Sequence, residues 1–81
     1  MENLNNIISL AELPVQKSGK VINILCGGNK RRRFLDLGIT QNTIIKNERV
    51  SPSGNPIAYN IRGTIIALRT SEAENILINI L

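Results

Sequence analysis

Apolar and polar residues change their spacing several times along this chain, and each spacing predicts a different element. Ile57 to Arg62 alternates strictly. Ile57, Tyr59 and Ile61 share one face and Ala58, Asn60 and Arg62 the other, which is the period of a half-buried strand. Lys20 to Leu25 is a β-branched run preceded by Gly19 and reads as a strand. Thr43 to Val50 and Thr64 to Arg69 read likewise, with Ile66 and Leu68 on one face. The segment Ser51-Pro52-Ser53-Gly54-Asn55-Pro56 is a dense turn signal, and Gly63 separates the strands on either side of it. Ile76 to Leu81 is too apolar for a free tail and is expected to return as a final strand.

Helical signals fill the gaps. Gly27-Gly28 ends the first strand run, and Lys30 to Leu37 contains no Gly or Pro. That stretch predicts a short helix, with Asn29 as N-cap and Gly38 as the glycine just past its end, in a left-handed conformation. Ser9-Leu10-Ala11-Glu12 fits a capping box opening one helical turn before Pro14. Ser71-Glu72-Ala73-Glu74 fits a second box. Phe34 falls in an apolar stripe with Leu35, Leu37 and Ile39 and is assigned to the core, as is Tyr59.

The chain has 81 residues, room for one domain. At this size roughly 63% of the unfolded surface is buried on folding, enough for a thin core without a deep substrate cavity. Residues 1–7 are expected to be a loose N-terminal segment and residues 8–81 a single domain. The elements predict a mainly β protein of about five short strands with two or three short helices. Short strands must close up to hide their edges, and a small SH3-like barrel is the simplest arrangement.

Composition then removes whole classes of chemistry. With no His in the chain, imidazole acid–base catalysis and His metal sites are excluded. Cys26 is the single cysteine, so no internal disulfide forms and no thiolate pair can hold a metal. No metal site and no cofactor are expected. The longest apolar run, Ile65 to Leu68, is far short of the ~20 residues of a membrane span. Met1-Glu2-Asn3 does not resemble a signal peptide. The expected location is the cytoplasm, without membrane insertion. Ten Lys and Arg against six Asp and Glu leave a net charge of +4, too mild to choose among nucleic acid, anionic lipid and an acidic protein face.

The one concentrated charge is Lys30-Arg31-Arg32-Arg33. Cations in the first turn of a helix oppose its dipole and one another, and Asp36 lies within reach of Arg32 and Arg33. A local conflict of this kind often marks function; the ordinary reading is a solvated basic face. The phosphate-loop and dinucleotide-binding glycine patterns are both absent. Readers of single-stranded nucleic acid add stacking aromatics, and the only aromatics, Phe34 and Tyr59, are both assigned to the core. No nucleic acid is expected as partner. The carboxylates offer no acid–base pair: Glu12, Glu72 and Glu74 are given capping roles, Asp36 has arginine neighbours, and Glu48 lies between Lys46 and Arg49.

The order of the motifs is more specific than any one of them. The string Arg31-Arg32-Arg33-Phe34-Leu35-Asp36-Leu37-Gly38-Ile39-Thr40 is followed by Gly54-Asn55-Pro56, by Arg62-Gly63 and by Ala67-Leu68-Arg69. Over residues 8–81 this resembles the FeoA family. The resemblance implies an SH3-like barrel and a small, non-enzymatic cytoplasmic protein of bacterial ferrous-iron uptake. It implies contact with the cytoplasmic GTP-binding region of the membrane transporter FeoB, which would hold the chain at the inner face of the membrane only through that partner. Arg31, Arg32 and Arg33 are the expected partner-binding residues, one or two of them bridging instead to Asp36 or to carbonyls. Asp36, Leu37, Gly38, Gly54 and Gly63 are expected to be structural. An exposed strand edge is a second expected contact surface, and it or the apolar C-terminal end offers a route to a homo-oligomer. The alternatives are a nucleic-acid-binding SH3-like module, and a metal- or anion-sensing domain like the one in metal-dependent repressors. Asn47, in a strand position suited to an apolar residue, departs from the family pattern.

Overall fold

Alternation along the strands and the turns between them produce one antiparallel sheet in the computed structural model, which describes residues 6–81. The elements are β1 (Ile7–Ser9), a 3-10 turn (Leu10–Glu12), β2 (Ser18–Ile24), α1 (Gly28–Asp36), β3 (Ile44–Val50), β4 (Ile57–Ile61), β5 (Thr64–Leu68), α2 (Thr70–Ala73) and β6 (Ile76–Ile80). The strand order is β1-β6-β2-β3-β4-β5. The sheet curls upon itself. The Tyr59 hydroxyl on β4 donates to the Leu10 carbonyl just after β1, 3.1 Å away, so strands near opposite edges face each other across the core.

The expected faces hold on β4: Ile57, Tyr59 and Ile61 are buried. Their cross-strand partners continue that face, with Ile45 opposite Ile61, Asn47 opposite Tyr59 and Leu68 opposite Ile57. Two bulges adjust the pattern where strict alternation fails. In β2 the pairing shifts between Val21 and Asn23, which lets Val21 and Ile24 both point inward although they are three residues apart. In β3 it shifts between Asn47 and Arg49. That turns Arg49 out to solvent, where unbroken alternation would have aimed it at the core.

There are six strands rather than about five. The additional one is β1, whose Ile7, Ile8 and Ser9 pair with Asn79, Ile78 and Leu77 of β6. Three residues carry no periodicity, and the strand exists because a partner some seventy residues later offers it an edge. The paired Ile7 narrows the loose segment expected over 1–7, of which 1–5 lie outside the described residues. Gly19 lies inside β2 and not before it. A Cβ there would come within 2.5 Å of Ile78 Cδ1, so the glycine lets β2 and β6 approach.

Both helix starts differ from expectation. α1 begins at Gly28 with Gly27 as N-cap, so Asn29 is already in the first turn. α2 begins at Thr70, earlier than the Ser71 box implies. The cause is Asn55 in the turn between β3 and β4. Its Oδ1 accepts the Thr70 N–H at 2.8 Å and its Nδ2 donates to Thr70 Oγ1 at 3.2 Å. Glu72 Oε1 accepts the Arg69 N–H at 3.0 Å, so Glu72 keeps its capping role, whereas Glu74 ends the helix in solvent. At the first turn, Glu12 Oε1 accepts from the Ser9 N–H and hydroxyl at 3.4 and 3.2 Å.

Asn47 is a polar residue inside a strand, partnered through its amide nitrogen and its backbone, while its Oδ1 is buried with no partner among the described residues. It is 1% exposed, and its Nδ2 donates to the Leu13 carbonyl at 2.8 Å. Its backbone also accepts from Gln16 N–H at 2.7 Å and donates to Lys17 O at 3.0 Å. The loop after the 3-10 turn is thus bound to β3 as though it were a further strand.

Candidate functional site

The basic run lies on α1, and the way α1 is built decides which of its cations are available. Only Phe34 of the helix is buried. The C-terminal end is closed by a Schellman pair: Ile39 N–H donates to Phe34 O at 2.9 Å and Gly38 N–H to Leu35 O at 3.0 Å. Gly38 takes φ +89°, the left-handed geometry expected of it, and brings Ile39 back onto Phe34 in the core. Leu37 is half-buried against that cluster. Leu35 is 41% exposed and does not join the apolar stripe, since a nine-residue helix seated by one ring turns most of its surface to water.

The three arginines separate into two kinds. Arg31 Nη1 donates to the Ile24 carbonyl at 3.3 Å, tying the start of α1 to the end of β2. Arg33 forms an ion pair with Glu72 of α2. Arg32 and Lys30 are exposed and make no ion pair among the described residues. The expected bridge from Arg32 or Arg33 to Asp36 does not form. Arginine three or four residues before a carboxylate is the poorer order for a helical pair. Glu72 is the better partner because its Oε1 is held by the Arg69 N–H, leaving Oε2 aimed at Arg33. Asp36 is left exposed at the helix end, next to Leu35 and four residues from Arg32. The outer face of α1 therefore combines unpaired cations, an exposed leucine and one carboxylate.

Two features escaped the sequence reading. Arg62 adopts φ +54° and Gly63 φ +85°, the two left-handed residues of a tight β4–β5 hairpin. From there Arg62 Nη2 lies 3.3 Å from both the Thr40 and Thr43 hydroxyls, and Gly38 has the Arg62 stem beside it. The Arg-Gly pair was visible; that its side chain reaches the exit of α1 was not. A shallow hollow of about 230 Å³, lined by Glu48, Arg49, Ala58 and Ile65, lies on the outer face of β3, β4 and β5, where the cross-strand register brings residues of three strands together. Gly54 takes φ +90° in the turn before β4. Cys26 is half-buried against the core. Among the described residues no three carboxylate or thiol side chains converge as a metal site would require. No helix among them is long and apolar enough to cross a membrane.

Comparison with known proteins supplies the context for this geometry. A family model described as the FeoA domain matches residues 8–80. The curated proteins return no match. Among solved structures, a FeoA-like protein from Clostridium acetobutylicum is 39% identical, with 94% of this chain and 88% of that one covered at a TM-score of 0.86. The FeoA of Stenotrophomonas maltophilia, solved with zinc and described as a procaryotic SH3 domain protein, is 28% identical over 89% of each chain at a TM-score of 0.79. A manganese-dependent transcriptional repressor shares the fold alone, at 18% identity and a TM-score of 0.82, over 93% of this chain and 42% of its own. The sheet is accordingly SH3-like, and the chain belongs to the FeoA family.

Proposed function

We propose that the chain is a non-enzymatic accessory protein of ferrous-iron uptake that works in the cytoplasm by contact with the GTP-binding region of FeoB. The observation that carries this reading is the division of the α1 arginines. Arg31 and Arg33 are engaged in holding the helix, while Arg32 and Lys30 stand in solvent and make no ion pair among the described residues. Four neighbouring cations repel one another, and Lys30 in the first turn of α1 opposes the dipole, whereas Arg33 lies in the last turn. Two of them contribute nothing visible to folding, which supports a role against an acidic partner face. Family membership supports the choice of partner. The nucleic-acid reading is weakened because both aromatic rings of the chain, Phe34 and Tyr59, are buried, leaving no stacking platform.

The test is a titration of the purified chain into the GTP-binding region of FeoB from the same organism, with and without guanine nucleotide. Saturable binding is expected, weakened about tenfold or more by Arg32→Glu, a loss of about 1.4 kcal/mol, with the melting temperature unchanged. Binding that Arg32→Glu leaves intact would remove α1 as the contact. Absence of binding in every nucleotide state would refute contact with this region.

A further inference from the structure

We propose that the free edge of β5 is a docking site for an extended segment of a partner protein with an apolar middle and acidic flanks. This surface is a strand edge and not the outer face of α1, and its test does not depend on the FeoB contact. β5 is the last strand of the sheet, paired with β4 alone. The Arg62-Gly63 hairpin has two residues, so Ile61 and Thr64 close it as a hydrogen-bonded pair, and bonding alternates along the ladder. Ile65 and Ala67, opposite Asn60 and Ala58, then direct their backbone N–H and C=O groups away from β4. No described strand receives them. The edge lacks the devices that normally blunt one: Thr64-Ile65-Ile66-Ala67-Leu68 contains no charge and no proline. Ile65 is 57% exposed and forms one wall of the hollow beside Arg49.

Charge identifies the occupant. Arg62 lies just before β5 and Arg69 follows it directly; both are exposed and without an ion pair among the described residues. The carboxylate beside Arg69, Glu72, is already engaged by the Arg69 N–H at 3.0 Å and by Arg33. An added strand would gain backbone hydrogen bonds along Ile65 and Ala67, place alternate apolar side chains against Ile65, and meet Arg62 and Arg69 at its two ends. A second copy fits less well. Antiparallel self-pairing about Ile66 would set Arg69 of one chain opposite Gly63 of the other, one residue from its Arg62, and so crowd like charges at both ends of the ladder.

The experiment uses the whole chain and a short synthetic peptide of alternating valine and threonine with aspartates at both ends. Controls carry lysines at the ends, or a proline in the middle. Binding is read by amide chemical shifts and by hydrogen exchange at Ile65 and Ala67. The acidic peptide should bind saturably and slow exchange at those two amides, and the proline peptide should not. Affinity should fall about tenfold or more with lysine flanks, with Ile65→Asp or with Arg69→Ala, and both variants should melt as the parent does. Equal affinity for acidic and basic peptides, or binding without protection at Ile65 and Ala67, would overturn the proposal. So would protection of those amides in the free chain that grows with its concentration, since a second copy would then hold the edge.

Discussion

The two sides of the chain are held in opposite ways. Where the first loop meets β3 and β4, buried polar groups form the attachment: Tyr59 to Leu10, Asn47 to Leu13, and the Asn47 backbone to Gln16 and Lys17. At α1 the attachment is one buried ring, Phe34, with Arg31 and Arg33 bonding at or near the surface. Hydrogen bonds out of water are costly to break one-sidedly, because the abandoned partner stays desolvated. Exposed ion pairs such as Arg33–Glu72, with Arg33 53% exposed, contribute about 1 kcal/mol or less. The first region secures the fold, and the second leaves charge available to a partner at little cost in stability.

The largest effect should come from the one ring. Phe34→Ala should destabilise the chain by roughly 3–5 kcal/mol, read by denaturant unfolding. A loss below about 1 kcal/mol would mean that α1 is seated by its surface bonds instead, reversing the contrast. Next is Tyr59, fully buried, whose phenol is pushed up to about 12 from 10.0 by desolvation. The unfolded state gives up this proton first, so stability is intact below pH 10 and is lost as pH rises from 10 to 12. The loss should be about 2–3 kcal/mol. In Tyr59→Phe this alkaline loss should disappear, leaving a smaller deficit at neutral pH from the unpaired Leu10 carbonyl.

Asn47→Ala should cost roughly 1–3 kcal/mol by orphaning the Leu13 carbonyl, measured by the same unfolding. Hydrogen exchange at Gln16 should quicken more than at β6 amides. Gly38→Ala should cost about 1 kcal/mol. A Cβ would meet Arg62 Cδ at an ordinary 3.5 Å, so the strain lies in φ +89° and not in crowding. The smallest effect is at Arg32: Arg32→Glu should shift stability by no more than about 0.5 kcal/mol. A large loss there would make it a structural residue like Arg31.

The legible part of the fold was what a short window encodes. Period-two alternation gave the buried face of β4, and the Gly38 position gave the Schellman turn. β1, the early start of α2 and the Arg33–Glu72 pair were not legible, because each is decided by a residue far along the chain: Ile78 for β1, Asn55 for α2, Glu72 for Arg33. Asn47 looked like a misfit for the same reason, since its partner Leu13 lies 34 residues away. Of the candidate site, the string gave the arginines but not their division. Sequence order placed Asp36 beside them, whereas side-chain direction gave Arg33 to another helix.

The most direct measurement is a map of amide chemical shifts in the labelled chain as the GTP-binding region of FeoB is added. Contact through α1 predicts changes centred on Lys30 to Asp36, with the amides of the Asn47–Leu13 region unmoved. Saturable changes that leave Lys30 to Asp36 untouched would contradict it.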